Sequence, residues 1–188
     1  GERSFCFYRK NTSDYHLLDL NEEIIKGYNI IHFGSLMLSS LEGINYLKNS
    51  VEKVKNTGVL LSFDINFRSD IFSSTEEAIE IYKEIIPLFD IIKISEEEIE
   101  IFGKEYINSL KNKIIFVSLG KDGSICKYKG ESYYAETKKV KSIDTTGAGD
   151  AFFGAALRKL DEFDINNLNK NQITEMLSFA NAAGAINT

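Results

Sequence analysis

The chain has 188 residues, of which 43% are hydrophobic and 27% are charged, and its formal net charge is −6. These values are ordinary for a soluble globular protein with one full hydrophobic core. The negative charge argues against a nucleic-acid or membrane-surface partner, since such partners usually require a basic face. Cys6 and Cys126 stand too far apart for a disulfide framework or a CxxC metal site, which fits a reducing cytoplasm.

Hydrophobic periodicity and turn residues predict an alternation of strands and helices. In chain order we expect a strand at 4–9, a strand at 28–35, a helix at 41–57 that stops at Gly58, a strand from 59, a helix at 73–87, a strand at 90–95, a short helix at 95–103, a strand at 113–120, a hairpin at 124–136 that turns at Lys129 and Gly130, and helices from about Ala148 and Gln172. This alternation predicts an α/β fold with a parallel sheet covered on both faces.

Polar residues follow several of the predicted strands at the point where each strand ends. They are Gly34, Ser35, Asp64, Asn66, Arg68, Ser95, Ser118 and Gly120. In open parallel sheets, ligands bind outside the carboxyl ends of the strands. We therefore expect the functional site at this edge of the sheet.

The stretch "DTTGAGDAFFGAAL", Asp144–Leu157, is the most informative one in the chain. It does not match the dinucleotide motif GxGxxG, because Phe152 stands at the third glycine position, and the P-loop motif fails at Gly120-Lys121 because Asp122 follows. What remains is a helix start whose free N–H groups can bind an anion. A carboxylate beside bound phosphate, Asp150, makes sense if it faces a hydroxyl that attacks that phosphate. The alternative is an ordinary helix with a glycine-rich entry.

This stretch resembles the second signature of the ribokinase-like (PfkB) carbohydrate kinases. The blocks "GERSFCFYR", "HFGS", "DINFR", "KISEEE", "VSLGKDGS" and "FANAAGA" are similar to the corresponding blocks of bacterial fructokinases and 2-keto-3-deoxygluconate kinases. The resemblance implies a ribokinase-like three-layer sandwich with a mainly parallel sheet and part of a small β lid. It also implies ATP-dependent phosphorylation of a sugar hydroxyl by direct in-line transfer, with ATP and Mg²⁺ as cofactors and K⁺ as a candidate third.

The resemblance also implies a role for individual residues. Asp150 would be the catalytic base and would face the sugar, with Gly147, Ala148 and Gly149 as the anion hole. Arg9 and Arg68 would contact the sugar. In the nucleotide site, Asn66 would lie near the phosphates and Asn181 near the adenine. Ser118, Gly120 and Gly123 would line the nucleotide. Glu98 would hold Mg²⁺ through water, and Asp144 with the carbonyl of Thr146 would hold a monovalent cation.

Some of these positions have a plain structural alternative. Ser95 and Glu98 also match the S-x-x-E capping box, and both roles can hold at once. Arg68 at a strand end and Arg9 on an amphipathic strand are also consistent with solvated surface charges. His16 and His32 have no metal-ligand spacing and are expected to be structural. The aromatic residues around Phe7 fit either a sugar-stacking lid or the apolar side of a sheet.

Compared with the family pattern, the sequence lacks the early glycine pair and aspartate that receive the sugar, and it lacks the closing C-terminal segment. We therefore expect residues 1–188 to form one incomplete kinase domain, with a lid strand within residues 1–16 that pairs with a second subunit. The predicted function is a cytoplasmic, homodimeric fructokinase that needs the missing residues for turnover. The alternatives are a 2-keto-3-deoxygluconate kinase and a non-catalytic nucleotide-binding or dimerisation module.

Overall fold

The computed structural model describes Leu17 and residues 20–188. The predicted strand at 4–9, the lid strand within 1–16, Arg9 and His16 lie outside the described residues. The helices are α1 (Glu22–Lys26), α2 (Leu41–Val54), α3 (Thr75–Ile85), α4 (Glu96–Phe102), α5 (Lys104–Ser109), α6 (Ala148–Leu160) and α7 (Lys170–Ile186). The strands are β1 (Ile30–Phe33), β2 (Leu60–Asp64), β3 (Ile91–Ser95), β4 (Ile114–Ser118), β5 (Ser124–Tyr128) and β6 (Glu131–Ala135).

Within the described residues the strands form one six-stranded sheet in the order β1-β2-β3-β4-β5-β6. β1 to β4 are parallel, and their register places Ile91 beside Ile114 and Ser95 beside Ser118. β5 and β6 are antiparallel additions that form the predicted hairpin, with Lys129 and Gly130 both at positive φ in the turn. The expected mainly parallel α/β sheet is confirmed.

Two hydrophobic cores cover the two faces of this sheet, which gives the three layers expected from the sequence. Side chains alternate between the faces along each strand. On β3, Ile92 and Ile94 belong to the core under α2, α3 and α4, whereas Ile91 belongs to the core under α6 and α7. The two C-terminal helices therefore form a separate layer opposite the crossover helices.

Polar side chains cap the starts of several helices. Ser40, Ser74 and Ser95 accept hydrogen bonds from backbone N–H groups at the starts of α2, α3 and α4. The predicted end of α2 is wrong, since the helix stops at Val54, before the turn that contains Gly58. Asn56 already adopts a left-handed conformation with φ of 67°, so the helix has ended before the glycine is reached.

Candidate active site

The start of α6 lies at the carboxyl edge of the sheet and is open. Gly147 precedes the helix at a left-handed φ of 78°, and among the described residues no side chain caps this start. The helical ladder begins where the N–H of Ala151 donates to the carbonyl of Gly147 at 2.9 Å. Asp150 lies exposed in the first turn. A helix start of this kind offers backbone N–H groups and a partial positive charge to an anion.

A cavity of about 860 Å³ adjoins this helix start. It is lined by the anion-hole residues Ala148 and Gly149 and by four of the five residues expected at the nucleotide, namely Ser118, Gly120, Gly123 and Asn181. Residues of the 137–142 segment and Gly184 of α7 also line the cavity. The structure thus brings residues from β4, the β4–β5 turn, α6 and α7 around one cavity of a size that suits a small-molecule ligand.

Two of these residues shape the cavity wall. Gly123 has φ of 109°, and a Cβ at this position would collide with the carbonyl oxygen of Ala135, so only glycine fits. Asn181 is buried, and its amide donates to the carbonyls of Ala135 and Glu136 at 3.0 and 3.2 Å. Asn181 therefore ties α7 to the end of β6, and its expected contact with adenine stays a prediction.

A buried ion pair lies directly behind the start of α6. The Lys93 ammonium is 3.0 and 3.1 Å from the two carboxylate oxygens of Asp64, and the two side chains are 9% and 7% exposed. Burial raises the pKa of the Asp64 carboxyl to about 6; the Lys93 ammonium acts in the opposite direction, whereas the charges of Glu98 and Asp150 raise it further. Lys93, Glu98 and Asp150 therefore all influence the pKa of Asp64.

Sequence reasoning named Asp64 only as a strand-end residue and missed Lys93. The signal was present in "IIKIS", where a lysine stands between isoleucines of a buried strand. A lysine is almost never fully buried unless it is paired, so a lysine in this position indicates a carboxylate on a neighbouring strand.

The loop after β2 carries Asn66 and Arg68 and is held by short-range bonds. The N–H of Asn66 donates to Asp64 at 3.1 Å, and the Ser35 hydroxyl donates to the Asn66 carbonyl at 3.2 Å. Asn66 adopts a positive φ of 34°. Arg68 is half-buried, and its guanidinium donates to the carbonyl of Phe67 at 3.3 Å. The contacts of Asn66 with phosphate and of Arg68 with sugar remain predictions.

Ser95 and Glu98 form the predicted capping box at the start of α4. The Ser95 hydroxyl accepts the N–H of Glu98, and Glu98 accepts the N–H of Ser95 at 2.7 Å. The other carboxylate oxygen of Glu98 accepts the N–H of Phe67 at 2.6 Å. The capping role is thereby confirmed and extended to the loop after β2. The role of Glu98 toward Mg²⁺ stays a prediction.

Asp144 and Thr146, expected to hold a monovalent cation, lie together in one exposed turn. One carboxylate oxygen of Asp144 accepts the N–H and the hydroxyl of Thr146 at 2.8 and 2.7 Å. The Thr146 carbonyl accepts the Asn187 amide at 3.0 Å. Among the described residues, no group of three or more His, Cys, Asp and Glu side chains is placed to hold a metal ion.

His32 and Cys126 have structural surroundings. A ring nitrogen of His32 lies 3.0 Å from the Ser62 hydroxyl, and its ring meets Phe153 edge to face at 5.4 Å. Cys126 is buried, and burial raises the pKa of its thiol to about 12, which keeps it unreactive.

In the part of the chain that the structure describes, no helix has the length and apolar character needed to cross a membrane.

Comparison with known proteins finds relatives of similar sequence and similar structure. Fructokinase-1 of Zea mays is 36% identical over 203 aligned residues, which cover 100% of this chain and 62% of the relative. The fructokinase of Vibrio cholerae O395, solved with fructose, ADP and potassium, superposes with a TM-score of 0.76 at 28% identity, over 83% of this chain and 53% of that one. The aminoimidazole riboside kinase of Salmonella enterica, solved with aminoimidazole riboside and an ATP analogue, gives 0.73 at 28% identity, over 84% and 55%.

The chain therefore spans about three-fifths of the length of the curated relatives it matches. The family model described as "pfkB family carbohydrate kinase" matches residues 1–188. The uncapped start of α6, its first-turn aspartate and the adjoining cavity agree with that match. The chain belongs to the pfkB family of carbohydrate kinases.

Proposed function

We propose that this chain carries the nucleotide site and the catalytic base of an ATP-dependent fructokinase. The observation that supports this most directly is the uncapped start of α6, with Asp150 in its first turn and the cavity of about 860 Å³ beside it. A site made only to bind phosphate gains nothing from a carboxylate at this point, because the two negative charges repel. A kinase needs that carboxylate beside the acceptor hydroxyl.

The reaction follows from this placement. The nucleotide would lie in the cavity against Ser118, Gly120, Gly123 and Asn181. Asn66, in the loop after β2, would face its phosphates. The sugar hydroxyl attacks the γ-phosphorus in line, the bond to the bridging oxygen of ADP breaks, and Asp150 accepts the hydroxyl proton. The N–H groups of Gly147, Ala148 and Gly149 would stabilise the charge on the phosphoryl group in transit. The Ala148 N–H donates to the Thr145 carbonyl at 3.2 Å in the structure, so it would have to share or exchange that bond.

Fructose is assigned as the acceptor from the relatives, and two arginines are assigned to bind it through their N–H donors. The curated relatives compared above are fructokinases, and one solved neighbour contains fructose. Arg68 lies in the loop after β2, a few residues beyond Asp64, and is proposed to contact the sugar. Arg9, which lies outside the described residues, is proposed as the second arginine at the sugar.

Mg²⁺ and a monovalent cation fit the oxygen donors at this edge. Mg²⁺ usually keeps several waters and binds substrate phosphates with few protein carboxylates. The buried Glu98 carboxylate accepts two backbone N–H groups and has further lone pairs for a metal-bound water. Asp144 and the Thr146 carbonyl provide oxygen ligands for K⁺ in one turn. Mg²⁺, when bound, would neutralise charge on the phosphates.

We also propose that residues 1–188 form one incomplete ribokinase-like domain, because the curated relatives are longer. The lid strand within residues 1–16 is proposed to pair with a second subunit in a cytoplasmic homodimer. Sedimentation of the full-length protein at micromolar concentration tests the dimer, and a monomer would contradict it.

A coupled ADP-release assay on the full-length protein tests the function. The acceptors are fructose, 2-keto-3-deoxygluconate, ribose, aminoimidazole riboside and other nucleosides. We expect the highest kcat/KM with fructose, and preference for 2-keto-3-deoxygluconate would move the assignment to that kinase. ATP binding without turnover on any acceptor would instead support a nucleotide-binding module. Full turnover by residues 1–188 alone would overturn the expectation that the sugar site is incomplete.

A further inference from the structure

The Lys93–Asp64 pair is an expensive feature for a protein core. Both charged side chains are almost fully buried on the α6 side of the sheet, Lys93 in the middle of β3 and Asp64 at the end of β2. Removing two such charges from water costs several kcal/mol, and hydrophobic residues of similar volume are often as stabilising or more so. Stability of the fold therefore gives no sufficient reason for this pair.

The position of Lys93 adds a second cost. A Cβ placed on Gly149 would lie 3.3 Å from the Lys93 ammonium, so this ammonium is next to the first turn of α6. A helix start carries a partial positive charge, and a cation there is unfavourable. The arrangement becomes favourable when an anion occupies the helix start, because that anion is then attracted by both the helix and the ammonium.

Asp64 connects this ammonium to a second part of the site. One of its carboxylate oxygens accepts the N–H of Asn66 at 3.1 Å while the carboxylate also holds Lys93. The pair therefore links the start of α6 to the loop that carries Asn66 and Arg68. A change at Lys93 acts on both elements through Asp64.

We propose that Lys93, held by Asp64, is a positioning residue for phosphoryl transfer: it fixes the Gly149 turn and adds a full positive charge behind the anion hole. This inference rests on the proposed kinase function. The benefit is largest when negative charge crosses to the acceptor, so Lys93 contributes more to the transition state than to bound ATP.

The test compares variants of the full-length enzyme. The double variant Lys93→Met/Asp64→Asn removes both charges and leaves no unpaired ion in the core. We expect kcat to fall about 10- to 100-fold, as for other residues that support a reacting centre. The Kd for ATP should change less than about threefold, and inhibition by MgADP with aluminium fluoride should weaken in proportion to kcat. If the pair is merely structural, the double variant should change the melting temperature, but it should not lower kcat while the Kd for ATP stays nearly constant.

Lys127→Met is the matched control, because Lys127 lies on β5 and its ammonium binds Asn108 away from the site. It should keep the wild-type kcat. If the double variant does not fold, Lys93→Gln, whose amide can donate to Asp64, must show the same loss of kcat. A folded variant with kcat near wild type overturns the proposal. A wild-type enzyme that phosphorylates no acceptor overturns the proposed function instead, so the two failures are distinguishable.

Discussion

α4 and α6 both begin at the carboxyl edge of the sheet with acidic residues in the first turn, yet their starts are built differently. At α4, Ser95 and Glu98 satisfy the terminal N–H groups in a capping box. At α6, the preceding residue is Gly147, and no side chain among the described residues caps the helix. A ligand site therefore needs more than a helix start at the carboxyl edge of the sheet. The start must also be left without its own cap.

The groups behind the two starts differ in the same sense. Glu98 turns its buried carboxylate back onto the N–H groups of Ser95 and Phe67, so the charge at α4 serves the fold. Behind α6, Lys93 and Asp64 place a buried ion pair against Gly149. The first arrangement is complete without a ligand, whereas the second is the one that we propose to bind an anion.

The largest expected difference between the two starts concerns their acidic residues. Asp150→Asn in the full-length enzyme keeps the size of the side chain and removes the proton acceptor. General-base catalysis contributes about 10²- to 10⁴-fold, so kcat should fall by that factor and the barrier should rise by roughly 3–5 kcal/mol. The Kd for ATP should stay constant or decrease, because a negative charge beside the phosphates is removed. Steady-state kinetics and calorimetry measure the two quantities.

Glu96→Gln is the control for that substitution. Glu96 is exposed in the first turn of α4, so its loss should cost only the interaction with the helix dipole, about 0.3–1 kcal/mol of stability. Turnover should be unchanged. Near-normal kcat in Asp150→Asn would remove the assigned mechanism, whatever the family membership.

The second prediction concerns the ion pair behind α6. The folded Asp64 carboxyl has a pKa of about 6, against 3.8 for an ordinary aspartate, mainly because of burial. Between these values the folded chain binds a proton that the unfolded chain has lost, so this group makes the protein less stable as pH rises from about 4 to 7. The double variant Lys93→Met/Asp64→Asn removes that dependence and leaves no unpaired ammonium in the core. The stability difference should therefore move in favour of the variant with rising pH, by at most about 3 kcal/mol.

Urea unfolding of both full-length proteins at pH 5 and pH 7.5 measures this difference. Lys93, Glu98 and Asp150 are the charged groups that face Asp64. Lys93 is replaced together with Asp64, and Glu98 and Asp150 are unchanged in the double variant. A difference that stays constant, or that moves against the variant with rising pH, contradicts the raised pKa.

The sequence predicts most of this fold because its periodic patterns are local. The α6 start is also readable from sequence, since three small residues between two aspartates have few other uses. The short helices α1 and α5 and the end of α2 at Val54 were missed, because packing decides such short helices and the turn conformation at Asn56 decides the end of α2. Lys93 was missed because its partner comes from another strand, and its contact with Gly149 depends on how α6 packs on the sheet.

The third prediction uses two glycines of α6. Gly149→Ala places a methyl group 3.3 Å from the Lys93 ammonium, which must shift, and narrows the approach to the helix start. We expect about a tenfold loss of kcat, equal to about 1.4 kcal/mol in the barrier. Gly154→Ala on the same helix meets nothing within 4 Å and should add up to about 1 kcal/mol of stability with kcat unchanged. Equal activities of the two variants would show that the first turn is not a special position.

The smallest effect is expected from removing the cap of α4. Ser95→Ala deletes the hydroxyl that accepts the Glu98 N–H at 3.2 Å, and the loss of such a cap costs about 1 kcal/mol of stability. The Glu98 carboxylate keeps its bonds to the N–H groups of Ser95 and Phe67, so the loop after β2 should stay in place. The Kd for ATP and the Mg²⁺ concentration for half-maximal rate should therefore stay within about twofold of wild type, because 1 kcal/mol of cap energy acts on folding and not on the site. Chemical unfolding and Mg²⁺ titration of the rate measure both. A large rise in the Mg²⁺ requirement would mean that the start of α4 is part of the metal site through Ser95 itself, and the contrast between a closed helix start and an open one would no longer hold.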